Sequence, residues 1–315
     1  MARPFFPALA LMTALYACAP VSGNVAAPDA VAHAVRSPHP SSAKIFALGS
    51  AAVFEFAGGD VHARPKVAIT DGVYRPYGLT IDGLGTLYVL NQGTANASAF
   101  DANASSITEY PAGASKPALT ITFPKMNGGY PYPCALAADN VGTLYVVDCN
   151  NGSNIDVFPR GATQPAFIIN NPWAPSTGFG PLVADSKGKL YITAGSGANG
   201  SNGVMTYDVP SQTWGWLWVS DPNYPSGVAL DGTGGEFVSV SDGTHWWIRH
   251  LGIGNPRGYY SPKSGFMAFD TVDDLLYAIS YSGTVTVQNP TTHKLLGTIQ
   301  GLYGVAAVVV SPAAF

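Results

Sequence analysis

From Lys44 onward the chain alternates short apolar runs with turns rich in Gly, Asp, Asn and Pro. Five of these runs share one pattern: an apolar segment ending in Asp, a short turn, then an apolar or aromatic run. They are Gly78-Leu-Thr-Ile-Asp82 with Thr86-Leu-Tyr-Val-Leu, Ala135-Leu-Ala-Ala-Asp139 with Thr143-Leu-Tyr-Val-Val, and Pro181-Leu-Val-Ala-Asp185 with Lys189-Leu-Tyr-Ile-Thr. Gly227-Val-Ala-Leu-Asp231 with Gly235-Glu-Phe-Val-Ser and Phe266-Met-Ala-Phe-Asp270 with Leu275-Leu-Tyr-Ala-Ile complete the set. Each pair reads as a hairpin, and no segment longer than ten residues carries a helical apolar period, so the predicted elements are strands.

The Asp residues are 57, 46, 46 and 39 positions apart, a mean of 47. Short strands repeating at that period predict propeller blades. Gly304-Val-Ala-Ala-Val-Val-Val-Ser311 looks like a sixth first strand with no partners after it. The missing strands stand at the other end, as Ile45-Phe-Ala-Leu, Ala52-Val-Phe-Glu-Phe and Lys66-Val-Ala-Ile. The expectation is an all-β, six-bladed β-propeller over 44–315, about 45 residues per blade, closed by a blade shared between the N- and C-terminal strands.

Residues 1–17 read as a signal peptide: Arg3 supplies a positive charge, and Phe5–Ala17 is apolar apart from Pro7 and Thr13. Thirteen residues are too few for a permanent span, which takes about 20. Leu15-Tyr16-Ala17-Cys18 resembles the bacterial lipobox, which implies lipidation at Cys18, with ordinary cleavage and secretion as the alternative. Residues 18–43, rich in Ala, Pro, Ser and Val, read as a disordered tether. The expected location is the periplasm or cell surface, with the membrane touched through the lipid anchor alone. Cys134 and Cys149 flank a strand–turn–strand segment and lie symmetrically about its turn. They are predicted to form a cross-strand disulfide, which needs an oxidising compartment.

Charged residues make up 11% of the chain, with a net charge of −4 and no run of Lys or Arg, which argues against nucleic-acid binding. Gly (36) and Pro (25) are abundant, and 47% of residues are hydrophobic, enough for a large core in a monomer.

Asp139-Asn-Val-Gly-Thr-Leu-Tyr-Val-Val-Asp148, followed by Asn154-Ile-Asp-Val-Phe158, resembles the NHL repeat. Ile107-Thr-Glu-Tyr-Pro-Ala-Gly-Ala-Ser is similar to a phrase found in exported bacterial propellers of that kind. The resemblance spans 44–315, is strongest over 78–170, and implies fold and export rather than activity.

No Walker motif, nucleophile elbow or zincin helix occurs. Gly195-Ser-Gly197-Ala-Asn-Gly200 fits a dinucleotide pattern, but a strand follows it rather than a helix. The repeated Asp residues read as turn caps. In propellers the ends of the second strands rim the channel; here they are Asn91, Asp148, Ala194, Asp242 and Ser280. Asn91, Asp148 and Asp242 are the candidate oxygen ligands for a divalent cation such as calcium. A channel site of Glu, Asn and Asp is implied by a looser similarity to gluconolactonase-type propellers, yet none of Glu55, Glu109 or Glu236 stands clearly at the corresponding position. Asn91–Ser106 carries a nine-residue insertion relative to the next blade, and Phe100 within it is the expected gate. Trp214, Trp216 and Trp218 alternate, which reads as packing between blades or as a stacking surface. The function expected is a binding or interaction module acting on an unknown ligand or protein at the channel face. A metal-dependent lactonase, hydrolase or lyase at the channel mouth is the competing reading.

Overall fold

The computed structural model describes residues 43–93, 105–123, 132–150, 153–174, 178–195, 202–220, 224–242, 244–251, 259–260, 264–280, 282–302 and 304–311. Its described secondary structure is all strand, in six sheets of four. The first blade contains β1 (Lys44–Leu48), β2 (Val53–Ala57) and β3 (Lys66–Ile69). The second holds β4 (Pro76–Ile81), β5 (Leu87–Gln92), β6 (Ser105–Tyr110) and β7 (Leu119–Thr122). The third holds β8 (Pro133–Ala138), β9 (Leu144–Asp148), β10 (Asn154–Phe158) and β11 (Phe167–Ile169). The fourth holds β12 (Gly178–Ala184), β13 (Lys189–Gly195), β14 (Asn202–Asp208) and β15 (Thr213–Ser220). The fifth holds β16 (Tyr224–Leu230), β17 (Glu236–Ser241), β18 (Trp246–His250) and β19 (Tyr259–Tyr260). The sixth holds β20 (Ser264–Asp270), β21 (Leu275–Ser280), β22 (Val285–Asn289) and β23 (Lys294–Ile299). The last strand, β24 (Ala307–Ser311), joins the first blade as its innermost strand, paired Lys44↔Ser311 through Leu48↔Ala307. The six innermost strands β24, β4, β8, β12, β16 and β20 pack each against the next, and β24 against β4 and β20 closes the ring.

Position within a blade sets the hydrophobic pattern. Second strands are sandwiched between neighbouring blades on both faces, so β5, β9 and β21 are buried at every residue and read as continuous apolar runs. Fourth strands lie at the rim and are mostly exposed, as in β3 and β23. The inner hairpins therefore carry the repeat signal, and the outer strands carry little of it.

The repeated turn has a backbone requirement. The third residue after Asp82, Asp139, Asp185 and Asp231 is Gly85, Gly142, Gly188 and Gly234, each at positive φ, where a Cβ would be strained. In blade 6 the turn is one residue longer, and Asp274 (φ 56°) takes the left-handed position.

Candidate functional site

The repeated aspartates are turn anchors. Asp82 Oδ1 accepts from the amides of Leu84 (2.9 Å) and Thr86 (2.8 Å), while Tyr88 donates its hydroxyl to Oδ2 (3.1 Å). Asp139 repeats this with Val141, Thr143 and Tyr145, and Asp185 with Lys187, Lys189 and Tyr191. In blade 5 the tyrosine position is Phe237, and Asp231 faces His250 instead, at 3.9 Å. These carboxylates close hairpins, as the sequence suggests.

At the opposite end of the second strands, register defines the ring of rim positions. Leu79↔Val89, Leu136↔Val146, Leu182↔Ile192, Val228↔Val238 and Met267↔Ala278 are equivalent pairs. Two residues further along stand Asn91, Asp148, Ala194, Val240 and Ser280. Asp242 therefore does not belong to the ring: it lies two residues beyond it, past the end of β17, where strand pairing has stopped. Its carboxylate closes its own turn. It is held below the usual carboxylate range by the His245 amide first, then by the Thr244 hydroxyl and amide.

Asn91 and Asp148 share one structural task. Asn91 is fully buried; its Oδ1 accepts from the Tyr74 amide (2.8 Å) and its Nδ2 donates to the Gly72 carbonyl (3.0 Å) and Thr108 Oγ1 (3.2 Å). Asp148 Oδ1 accepts from the amides of Tyr132 (2.8 Å) and Asn150 (3.0 Å). Both clamp the segment that enters the innermost strand. Among the described residues, no three of His, Cys, Asp and Glu form a group suited to a metal. Beside Asp148, the buried Asp156 carboxyl is pushed up to about 6, by burial first and by the Asp148 charge second.

The clamped segments build the channel mouth. In five of the six innermost strands the pairing slips at this same level: at Tyr77, Cys134, Gly180-Pro181, Ser226 and Gly265-Phe266. Such bulges bend a strand and re-aim its side chains. Tyr77 is 40% exposed, and Tyr224, at the start of β16, is 55% exposed. The Tyr77 hydroxyl is raised by burial first and by the neighbouring Tyr132 hydroxyl second. Exposed Arg75 sits at φ 46°, a left-handed conformation rare for its type, with its carbonyl accepting from the Gln92 amide (3.2 Å). None of Tyr77, Tyr132, Tyr224 or Arg75 stands out in the sequence, because their signal is only a loose Tyr/Pro pairing just before three of the five repeats (Tyr74-Arg-Pro-Tyr77, Tyr130-Pro-Tyr-Pro133, Tyr224-Pro).

Below the mouth is a cavity of about 110 Å³ walled by the six innermost strands. Leu, Val, Ala, Phe and Met dominate its lining, with Thr80 the hydroxyl-bearing member. Ligand pockets usually measure about 300–1,000 Å³. The cavity is smaller than that.

Cys134 and Cys149 form a disulfide, with Cα atoms 5.9 Å apart. The register differs from a directly opposed pair. Pro133 faces Asp148 and Ala135 faces Val147, so Cys134 is the bulge residue and Cys149 follows the end of β9. The bond thus fastens the bulge of blade 3. Trp214 and Trp216 meet Trp173, which precedes β12, at 5.4 and 5.9 Å between ring centroids. Trp214 and Trp173 pack on the core shared by blades 3 and 4, while Trp216 remains 40% exposed. Cys18 and Phe100 lie outside the described residues.

No protein-family model matches the chain, and no curated protein sequence matches it. Solved structures do. The structure of a nidogen/laminin complex aligns over 85% of this chain and 98% of the matched chain, with a TM-score of 0.67 and 13% identity. A protein from Lactobacillus plantarum aligns over 86% and 99%, with a TM-score of 0.59 and 12% identity. The WD40 repeats of RRP9 align over 87% and 85%, with a TM-score of 0.53 and 12% identity. At such identities the likeness is one of fold, and on its own strand order and these alignments the chain is a six-bladed β-propeller.

Proposed function

We propose that this chain is an exported, lipid-anchored binding module of the NHL-repeat type, monomeric, which takes a ligand or a protein partner at its channel mouth. The observation that carries this reading is the mouth itself. Tyr77 and Tyr224 stand exposed there, with Tyr132 and Arg75 beside the first of them, above a channel too narrow for a ligand of ordinary size. Tyrosine rings offer an apolar face and a hydroxyl on a stiff side chain, which suits recognition. The Cys134–Cys149 bond supports an oxidising location. Propellers of this fold include the matched chain of a nidogen/laminin complex, an assembly of one protein with another. Phe100, in the segment of sequence between β5 and β6, is the proposed gate over the mouth.

A metal-dependent lactonase, hydrolase or lyase would need ligands converging at the same place. Asn91 and Asp148 Oδ1 are taken by backbone groups, and Asp242 stands off the ring. No observation favours that reading over binding.

The test is a screen of the full exported chain against arrays of glycans and peptides, followed by rim variants. A ligand whose affinity falls at least about tenfold in Tyr77→Ala or Tyr224→Ala, roughly 1.4 kcal/mol, at unchanged melting temperature supports the reading. A ligand indifferent to both substitutions overturns it.

A further inference from the structure

Every blade ends outward on a strand with one free edge, and the six edges are guarded differently. β3 and β7 have four residues, β11 three and β19 two. β3 and β23 also open on an exposed lysine, Lys66 and Lys294. Short length and lysine both keep a sheet edge from pairing with another chain. β15 has neither. It runs eight residues, Thr213-Trp-Gly-Trp-Leu-Trp-Val-Ser220, the longest of the six outer strands described, with no charged residue and no proline. A bulge at Leu217 bends it, as bulges bend β3 and β23, yet pairing with β14 continues to Asn202↔Ser220. No described strand pairs with its other side.

In such an edge strand every second residue turns its N–H and C=O away from the sheet. Side chains alternate between the two faces of the blade. Trp214 and Trp216 share the face of Tyr207 and Met205, their partners on β14, which is turned toward blade 3. Trp173 meets both rings at steep angles, 85° and 63°. Phe179 and Tyr207 wedge Trp214 in place, with ring centroids 5.6 and 4.8 Å away. Trp216, 40% exposed, is therefore an aromatic surface beside a free edge, held by a packed cluster. On the opposite face Gly215 offers no side chain, and Leu217 packs on the core shared by blades 4 and 5.

We propose that β15 takes up an extended segment of a partner protein by strand addition. The segment is uncharged, and its alternate residues are β-branched or aromatic, to lie beside Trp214 and Trp216. Main-chain hydrogen bonds supply affinity in this mode and the alternate side chains supply selectivity. Aromatic rings pair favourably with aromatic or β-branched neighbours across strands. A second copy of the chain fits less well. Eight residues extend about 27 Å, and a strip about 10 Å across offers roughly 270 Å² per copy, against about 800 Å² in a stable interface. The edge lies on the outside of blade 4, and the proposal is independent of what the channel mouth binds.

The experiment presents the full chain to uncharged peptides of about ten residues that alternate Thr with Val, Ile, Tyr or Phe, read by fluorescence anisotropy. The expected result is saturable binding below about 1 mM that weakens at least about tenfold in Trp216→Lys. N-methylation of one of the two alternate sets of peptide amides should abolish it. Bound peptide should also slow amide exchange in the wild type within Thr213–Ser220 and not in β23. Trp216→Lys should melt within about 2 °C of the wild type, because the ring is exposed. Val67→Lys, on the exposed edge strand of blade 1, should bind as the wild type does. No binding up to about 1 mM, equal loss in Val67→Lys, or undiminished binding of both N-methylated peptides overturns the proposal. A dimer of the chain alone that Trp216→Lys dissolves also overturns it and assigns the edge to a second copy.

Discussion

Tyr145 donates its hydroxyl to Asp139 Oδ2 at 3.3 Å while Asp139 Oδ1 accepts the amides of Val141 and Thr143. The residue that sets the turn and the residue that fills the core are therefore one unit. Asp139→Ala leaves two turn amides without their acceptor and should cost about 1–3 kcal/mol; Tyr145→Phe removes one hydrogen bond and should cost about 0.5–1.5 kcal/mol. Denaturant unfolding of both single variants and the double variant checks this. Additive losses would show that the hydroxyl and the turn are independent.

The Asp156 carboxyl gives the fold a pH dependence. Its folded value of about 6 lies above the ordinary carboxylate value, so the folded state holds the proton more tightly than the unfolded chain. The stabilisation is complete below about pH 4 and is lost as pH climbs through about 6, an upper limit near 3 kcal/mol. Asp156→Asn, which keeps the shape without the charge, should flatten melting temperature between about pH 4 and 7 and raise it above pH 7. Parallel pH profiles of variant and wild type would contradict the assignment.

The disulfide closes a separation of 15 residues. Loop closure of that length is worth about 3 kcal/mol, and a domain of this size loses about 2–4 °C per kcal/mol. Reducing it, or Cys134→Ser with Cys149→Ser, should lower the melting temperature by about 6–12 °C. Calorimetry with and without reductant measures the drop.

Deleting 95–103 removes the segment carrying Phe100 between two strand ends at the mouth, Gln92 and Ser105, which face each other in register. Ligand affinity should change while the melting temperature stays within about 2 °C, since no described core contact is lost. An unchanged affinity for a rim-dependent ligand removes the proposed gate.

Cys18→Ser should move the protein from the membrane fraction to the soluble fraction and abolish metabolic labelling with a fatty acid. Unchanged fractionation removes the lipid anchor.

What the sequence determined by itself is what short-range pattern carries. The inner hairpins are buried on both faces, so their apolar runs and Asp–Gly turns repeat visibly, and counting them shows six blades and the closure by β24 beside β1. The pairing of Cys134 with Cys149 was legible for the same reason, since both flank one hairpin. Strand register and contacts between blades decided the rest. A bulge of one residue is invisible in an apolar count, yet it carries Cys134 off the direct pair and interrupts the inner strand at Tyr77. Val240 rather than Asp242 holds the ring position because it follows Asp231 by nine residues, as Asn91 follows Asp82, a spacing the sequence itself contains. Asn91 reads as a ligand until Tyr74 and Gly72, brought back to it by the fold, take its amide. Asp270 reads as an ordinary turn anchor until Gly59, more than two hundred residues away in the chain, arrives over its turn and meets Tyr277. Turn chemistry is local and survives in the sequence, whereas burial of a carboxylate depends on what another blade lays across it.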